Sequence, residues 1–495
     1  MMKLYKNLFV LIIGVFLLSG CEGYLSKDPI GLLTPDQVDM QPTTTTVQYA
    51  VSSSYQLLSS TLNIIGEWGW NDGTVTRGDF ILQDIASDDV QKKWNPDGDQ
   101  AWMDEFNNFS FIASNGGFNG QWAYNYEGIS RVNTAIDYLT DEEMMAKLNF
   151  NKTEQNRLLG EVYFLRAFYY FDLVTNFGGV PLLLKPLTSF NEAYEVAVRA
   201  TADGVWAQID KDLNDARSLL PDAKYSHQQE KWRVPKGAVI ALQAKVALFN
   251  ERWQDVITFV EELENSGYYN LNDNYFDSFD VNKQFQEQEV IFCYDHESAQ
   301  TPRKGNGLCA LLGWGFVAPE ASFIAAFEDN DPRLLYTVDV ESRNINKILG
   351  TLDGEFKGDD DAPSSRVYIR YADVLLWKAE ALLKTGKLQA AIGIINRVRQ
   401  RARNSMAADG TWPPAGTLPD RDINESNVAV ISNWLIHERR VELGFESHRF
   451  RDLKRWGIAE EVLGSRGFQG VHYLYPIPQR EIDKSGGSIV QNEGY

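Results

Sequence analysis

The stretch that decides the fold occurs twice in the chain, as AKVALFNERWQDVI at residues 244–257 and as AEALLKTGKLQAAI at residues 379–392. In both copies a helix with small residues runs into a tight turn, and a second helix opens on a large apolar residue, Trp253 or Leu388. The second helix then keeps an apolar stripe at helical spacing. Because small residues at a crossing let two helices approach closely, each copy predicts an antiparallel helical pair.

This packing is typical of tetratricopeptide-like helical pairs, and the rest of the chain predicts a mainly α fold around them. Apolar stripes predict further helices that start near residue 47 and cover 125–139 and 154–174. Residues 66–123 lose this period and are rich in Gly, Asn, Asp and Trp, which favours loops and short turns. Because the two copies lie much further apart than one repeat, we predict a broken array with a loop-rich insertion at 268–366 and minor β-strands.

The N-terminus carries the pattern of an export signal that ends at a cysteine. Lys3 and Lys6 precede an apolar run that is too short to cross a bilayer, and the sequence LSGC then ends at Cys21. Small residues before a cysteine resemble the bacterial lipobox, in which the cysteine is lipidated and becomes the new N-terminus. We expect a signal peptide at 1–20 and a lipid-anchored tether at 21–46. The alternative is an ordinary cleaved signal in which Cys21 is incidental.

The charge balance limits the partners that the chain can bind. The formal net charge is −21 at pH 7, and a strongly acidic chain repels phosphate backbones and anionic membrane surfaces. We therefore expect no nucleic-acid partner, and we expect membrane attachment through the N-terminal lipid only. No second hydrophobic stretch is long enough to span a membrane.

Metal and thiol chemistry find little support in the sequence. The five histidines show no recognisable metal-ligand spacing, and we expect no cofactor. Besides Cys21 the chain has Cys293 and Cys309. They could pair in an oxidising compartment or remain as free buried thiols, and the sequence leaves both outcomes open.

Several stretches in a fixed order resemble the SusD/RagB family of outer-membrane nutrient-binding lipoproteins. Together they cover nearly the whole chain beyond the signal peptide. They are CEGYLSKDP (21–29), LRAFYYF (165–171), FGGVP (177–181), DPRL (331–334), RYADVLL (370–376) with AEA (379–381), ERRVELGFE (438–446), RFRDLKRWG (449–457), YPIP (475–478) and QNEGY (491–495). In the stretches at 438–446 and 449–457, acidic and basic residues alternate at helical spacing. That pattern predicts a lattice of ion pairs tying helices together rather than catalytic groups.

The resemblance implies a binding protein rather than an enzyme. Such proteins sit on the cell surface and cap a SusC-like TonB-dependent transporter in the outer membrane, capturing oligosaccharides or polysaccharides or, in some branches, peptides. The resemblance also divides this chain into two regions. Residues 47–220 form an N-terminal helical and ligand-loop region, and residues 221–495 form a C-terminal region that holds the helical pairs and the insertion. A composition of 13 tryptophans, 22 tyrosines and 26 phenylalanines suits stacking on the apolar faces of sugar rings.

Candidate ligand residues are aromatic rings and acids that fall outside helical periodicity. Glycine neighbours leave an indole less covered, and carboxylates accept hydrogen bonds from sugar hydroxyls. The resemblance supports the same loop regions, in the early part of the chain and before the DPRL turn. The candidates are Trp68, Trp70, Asp72, Asp88, Asp89, Trp94 and Trp314.

Two rival functions come from other classes. A surface glycoside hydrolase needs two carboxylates on either side of a cleft, and the adjacent pair Asp88 and Asp89 would point to opposite sides of an extended chain. With Asp97 and Asp99 these acids could instead hold Ca²⁺, although no complete calcium-loop pattern is present. A helical scaffold that only organises other proteins is the second rival, and it predicts no affinity for saccharide or peptide.

Overall fold

The computed structural model describes residues 42–66, 68–92, 99–224 and 232–495. The predicted signal peptide, Cys21 and Trp94 therefore lie outside the described residues, and so does nearly all of the predicted tether. Compactness divides the chain into two units, Met1–Tyr49 and Ala50–Tyr495, and the features below belong to the second unit except where helix α1 crosses the division.

The larger unit is built mainly from helices, which confirms the predicted fold class. In the described ranges no helix combines the length and the apolar character needed to cross a bilayer. The α-helices are α1 (Thr44–Tyr55), α2 (Asp104–Asn107), α3 (Gly116–Thr140), α4 (Glu142–Lys147), α5 (Lys152–Phe177), α6 (Phe190–Val196), α7 (Ala202–Leu219), α8 (Lys236–Phe249), α9 (Trp253–Ser266), α10 (Leu308–Gly313), α11 (Ala321–Ile324), α12 (Arg333–Thr337), α13 (Asn346–Leu349), α14 (Tyr371–Lys384), α15 (Leu388–Arg403), α16 (Val428–Leu443), α17 (Arg449–Arg455), α18 (Ala459–Leu463) and α19 (Gln479–Lys484).

Short strands form three two-stranded antiparallel sheets in the described part of the chain, as the prediction of minor β-structure requires. They pair β1 with β3, β2 with β6 and β4 with β5. The strands are β1 (Val90–Lys92), β2 (Val290–Tyr294), β3 (Val317–Pro319), β4 (Val338–Asp339), β5 (Asn344–Ile345) and β6 (Arg366–Arg370). Most of them lie in the predicted insertion at 268–366, between α9 and α14.

The repeated sequence forms the two predicted helical pairs. Helix α8 packs against α9, and α14 packs against α15. The second helix of each pair begins at the predicted apolar residue, Trp253 or Leu388. Ala244, Ala247 and Ala379 are fully buried, which fits small residues at a helix crossing. Helix α9 also packs against α14, so the fold brings the two pairs side by side across the long insertion.

Helix α3 begins at Gly116, whereas the sequence pattern placed its start at 125. Gly116, Gly117 and Gly120 have low helix propensity, and this hid the first two turns of the helix. Asn115 caps the helix, and its side chain accepts a hydrogen bond from the Gly117 backbone N–H. Gly116 and Gly120 leave room for another backbone segment that lies against this turn: a Cβ atom on Gly120 would collide with the carbonyl of Gly73.

A buried network of ion pairs joins the C-terminal helices to the insertion, as the alternating charges predicted. Glu442 on α16 accepts hydrogen bonds from Arg333 at 2.9 Å and from Arg370 at 2.8 Å, and it also accepts one from Arg401. Burial alone would raise the pKa of Glu442, but the three guanidinium groups outweigh it and hold the pKa far below its ordinary value. This one carboxylate therefore ties α12, β6 and α15 to α16.

The network extends to a second set of partners along the same helices. Arg439, also on α16, donates to Asp373 of α14 at 2.8 Å and to Asp452 of α17 at 2.8 Å. Glu446 accepts from Arg370 at 2.7 Å and from Lys347 at 2.7 Å. The charged residues that the sequence offered as a structural lattice thus hold the C-terminal region together.

The two described cysteines are both free and buried. Cys309 donates its thiol hydrogen to the backbone carbonyl of Ile348 at 3.3 Å. Of the two outcomes that the sequence left open, the structure has the free thiols.

Replacing Glu442 with Gln should destabilise the protein strongly, because it removes a buried negative charge that three buried guanidinium groups share. Breaking a buried ion pair from one side costs roughly 3–5 kcal/mol, and the free energy of unfolding from chemical denaturation measures the loss. The matched control is Glu143→Gln, which breaks the exposed pair of Glu143 with Lys147 and should leave the unfolding free energy unchanged. Equal effects of the two substitutions would contradict the role given to Glu442.

Candidate functional site

Three aromatic rings from two distant parts of the chain meet at the surface. The ring centroids of Trp70 and Trp314 lie 5.8 Å apart, and Phe316 lies 5.6 Å from Trp70 and 6.0 Å from Trp314. Trp314 is 38% exposed and Phe316 only 5%, while Trp70 is half-buried. These three residues are called the aromatic platform: the buried Phe316 ring stands edge-on to both indoles, and the indoles keep exposed surface.

The end of α10 and the start of β3 position one half of the platform. Trp314 directly follows α10, and its backbone N–H donates to Ala310 at 2.8 Å. Gly315 then takes a left-handed conformation, with φ +79°, which a side chain would strain. After this turn Phe316 leads directly into β3, where Val317 pairs with Lys92 of β1. The ammonium of Lys92 lies over the Phe316 ring at 5.6 Å.

A tight loop held against α3 positions the other half. Within the loop the Trp70 N–H donates to the Trp68 carbonyl at 2.8 Å, and the Gly73 N–H donates to the Trp70 carbonyl at 3.0 Å. Gly73, with φ +67°, lies directly against Gly116 and Gly120 of α3. Because no side chain separates the two backbones, the loop that carries Trp70 packs in direct backbone contact with α3.

Of the predicted tryptophans that the structure describes, Trp68 is the most exposed, at 56%. Its backbone is left-handed, with φ 47°, and its N–H donates to the Asn63 side chain at 2.8 Å. Among the described rings it makes no ring–ring contact with the platform. Trp68 therefore lies beside Trp70 in sequence but stands apart from the three clustered rings.

Asp72 lies at the edge of a polar cleft of about 400 Å³ on the outer side of the same loop. The cleft is lined by side chains of both charges together with amides, including Asn119, Arg480 and Lys484. Arg480 lies 3.8 Å from the Asp72 carboxylate, and both side chains are exposed. The Asn119 amide donates to the Asp72 backbone carbonyl at 2.9 Å, which anchors this edge to α3. The carboxylate of Asp72 is thus available to a ligand at the cleft.

Asp88 and Asp89, which the sequence-based expectation placed among the ligand contacts, are engaged in ion pairs with arginines. Both are buried. Asp88 pairs with Arg449 at 2.8 Å, and Asp89 pairs with Arg440 at 2.8 Å. Burial raises the pKa of Asp89 above its ordinary value. Burial acts in the same direction on Asp88, but the hydrogen bonds and the charge of Arg449 outweigh it and lower the pKa of Asp88. Neither carboxylate is placed to act on a bound substrate, so this pair gives the hydrolase hypothesis no support.

The sequence did not single out Phe316 or Arg480. Phe316 follows the Gly-Trp-Gly triplet at 313–315, and this position beside a glycine turn was the available signal for a ring near Trp314. Arg480 lies in a C-terminal stretch that carried only scaffold motifs, and its place beside Asp72 depends on tertiary contacts. Within the described residues, no group of three or more His, Cys, Asp or Glu side chains is arranged to hold a metal ion.

Two family models match the chain at separate segments. The model described as "SusD family" matches residues 343–468, and the model described as "Starch-binding associating with outer membrane" matches residues 37–248. Relatives from Formosa agariphila match over the full length. SusD-like protein P2 is 26% identical and covers 100% of both chains. SusD-like protein P38 is 24% identical and covers 97% of this chain and 98% of its own.

Solved structures share the fold. One named as a laminarin binding SusD-like protein has a TM-score of 0.72 and 26% identity, and covers 92% of this chain and 100% of its own. Surface glycan-binding protein A from Bacteroides thetaiotaomicron, in complex with laminarihexaose, has a TM-score of 0.70 at 21% identity and covers 91% and 99% of the two chains. At that lower identity the second likeness shows the fold alone.

Substituting Gly120 with Ala should destabilise the protein, although the same change in a free helix is favourable by about 1 kcal/mol. The new methyl group would meet the Gly73 carbonyl and push the Trp70 loop off α3. Denaturation should report the lower stability, and hydrogen exchange should speed up in residues 68–75. Gly393→Ala is the control, since a Cβ on Gly393 of α15 meets nothing within 4 Å. If both substitutions raise the free energy of unfolding, the Trp70 loop does not pack against α3 as described.

Proposed function

The chain belongs to the SusD family, and from that premise we propose that it is a cell-surface glycan-binding lipoprotein. It captures an oligosaccharide or polysaccharide and delivers it to a SusC-like TonB-dependent transporter in the outer membrane. It binds its ligand without chemical change. The observation that carries the proposal is the aromatic platform, in which two indoles from distant loops converge with exposed surface on a buried phenylalanine.

The platform suits the apolar faces of sugar rings. A sugar ring presents C–H groups on its faces and hydroxyl groups around its edge, so it stacks on an aromatic ring and needs polar partners beside it. Trp70 and Trp314 offer the stacking surface, and the polar cleft with Asp72 and Arg480 offers acceptors and donors nearby. Because the indoles are held by tight backbone contacts, binding orders few side chains, which favours affinity.

Laminarin, a glucan, is the first ligand to test. The relative at 26% identity that covers 92% of this chain is named as a laminarin binding protein, which supports a polysaccharide ligand for this chain as well. A peptide ligand, the alternative within the family, would show itself in the same binding assay as affinity for peptides with none for glycans.

Attachment to the outer membrane is part of the proposal. The segment 37–248 matches a family model described as associating with the outer membrane, and the LSGC sequence at 18–21 supports lipidation of Cys21. The net charge of −21 gives the protein no electrostatic attraction to an anionic lipid surface, so the acyl chains supply the attachment.

Replacing Trp314 with Ala should weaken glycan binding about severalfold to tenfold, since a stacked ring is worth roughly 0.5–1.5 kcal/mol beyond its buried area. Stability should change little, because the ring is partly exposed. A glycan and peptide array with the soluble protein that lacks residues 1–21 identifies the ligand, and calorimetry then measures the affinity.

The matched control for that experiment is Trp412→Ala. Trp412 is 67% exposed and lies outside the platform, so its loss should leave binding intact. Equal affinities of the Trp314 variant and the unmodified protein would refute the platform as the binding site. Steady release of products from an incubated glycan would instead overturn the assignment as a binding protein.

Replacing Cys21 with Ala should yield a protein that folds but no longer stays attached to the membrane, because the lipid acceptor is lost. Membrane fractionation and metabolic labelling with a radioactive fatty acid measure the outcome. Serine at the neighbouring position 19 offers a control, since Ser19→Ala keeps a small residue before the cysteine. Undiminished fatty-acid incorporation in the Cys21 variant would rule out lipidation at this residue.

A further inference from the structure

A second cleft lies next to the platform and is not used by the site described above. Its volume is about 630 Å³, within the range of roughly 300–1,000 Å³ typical of small-molecule sites. It lies between the chain after α1, the segment just before α8 and the loop after β2. The lining residues that matter are Asn63, Trp232, Asp295, Gln300, Thr301 and Lys304.

The lining combines an aromatic ring with neutral polar groups. Trp232 is half-buried, and its ring stands edge-on to Tyr55 at 5.0 Å. Gln300 and Thr301 are exposed and present an amide and a hydroxyl at the rim. Amides and hydroxyls both donate and accept hydrogen bonds, as sugar hydroxyls do, so this lining matches a polyhydroxylated ligand.

The charged side chains of the cleft are already engaged in ion pairs. Lys304 lies 3.2 Å from Asp295 and 3.5 Å from Glu297, and Arg303 pairs with Asp360 at 2.6 Å. A strongly charged ligand would have to break these pairs, whereas a neutral one would not. The electrostatics therefore favour a neutral ligand over an anion or a cation.

The cleft and the platform share a stretch of chain. Asn63 lines the cleft, and its side chain accepts the hydrogen bond from the backbone of Trp68 at 2.8 Å, two residues before Trp70. Leu62, which also lines the cleft, packs directly against Gly307, the residue before α10. Trp314 directly follows the other end of α10. Helix α10 has 6 residues, which at about 1.5 Å per residue separates the two ends by about 9 Å.

We propose that this cleft is a second saccharide subsite and that one glycan chain occupies the cleft and the platform together. The inference rests on the proposed function and adds a property to it: affinity should rise with the length of the oligosaccharide. Once one end of the chain is bound, the second contact forms at a high effective concentration, so the two contributions reinforce each other. A chain too short to reach from one subsite to the other gains nothing from the cleft.

The test uses laminari-oligosaccharides from disaccharide to hexasaccharide, titrated by calorimetry into the soluble protein that lacks residues 1–21. For the unmodified protein we expect affinity to increase with length. The double substitution of Gln300→Ala and Thr301→Ala should weaken hexasaccharide binding about fivefold or more and leave disaccharide binding unchanged. Gln300→Trp, which fills the cleft instead of stripping it, should do the same. The matched control is Gln254→Ala, at an exposed glutamine on α9. It should change neither hexasaccharide nor disaccharide binding.

The outcomes separate this inference from the proposed function. If Trp314→Ala weakens binding at every length while both cleft variants bind the hexasaccharide like the unmodified protein, the second subsite is refuted and the platform stands. If the cleft variants weaken the disaccharide and the hexasaccharide equally, the spanning arrangement is refuted. An unmodified protein that binds none of these oligosaccharides would overturn the inference together with the proposed glucan ligand.

Discussion

The buried contact of Glu442 with three guanidinium groups is the constraint on which the rest of the structure depends. Buried charges are tolerated only when they are paired, and further carboxylates balance the same arginines: Asp331 and Glu438 contact Arg333, Glu446 contacts Arg370, and Glu289 contacts both Arg370 and Arg401. Arg333, Arg370 and Arg401 reach Glu442 from α12, β6 and α15. These contacts fix the positions of the three elements relative to α16. The loop-rich insertion is thereby fixed to α16 at two points, since α12 lies within the insertion and β6 begins at its C-terminal end.

That constraint reaches the candidate site through a second set of charges. Arg440 and Arg449, next to the network in sequence, hold Asp89 and Asp88 at the start of β1. The Asp89 carbonyl then accepts a hydrogen bond from Glu320, just after β3, at 2.8 Å. Because β3 follows directly on Trp314 and Phe316, the acids that the sequence offered as ligand contacts instead set the position of the rings.

The other half of the platform depends on close packing of backbone rather than on charge. Gly73 and Gly120 let the Trp70 loop lie on α3 without an intervening side chain. The two indoles are thus positioned by different contacts, Trp314 by the charge-anchored β1–β3 pair and Trp70 by backbone packing on α3, and both contact Phe316. A surface assembled in this way is rigid before any ligand arrives, which suits stacking, where little energy is available to order loose side chains. The loop that carries Trp70 also carries Asp72 of the polar cleft, and it is joined to the Trp232 cleft by the hydrogen bond from Trp68 to Asn63.

The sequence by itself determined the features that depend on neighbours along the chain. Helical period and small residues fixed the two repeated pairs and their first residues, Trp253 and Leu388; alternating charges indicated a structural lattice; and the ordered motifs indicated the family. Only the tertiary structure decided which rings meet, that Asp88 and Asp89 are buried, and that α3 begins within a glycine-rich segment. The physical reason is that a local pattern reports the environment one residue prefers, whereas the contact of Trp70 with Trp314, or of Gly120 with Gly73, exists only between segments brought together by folding.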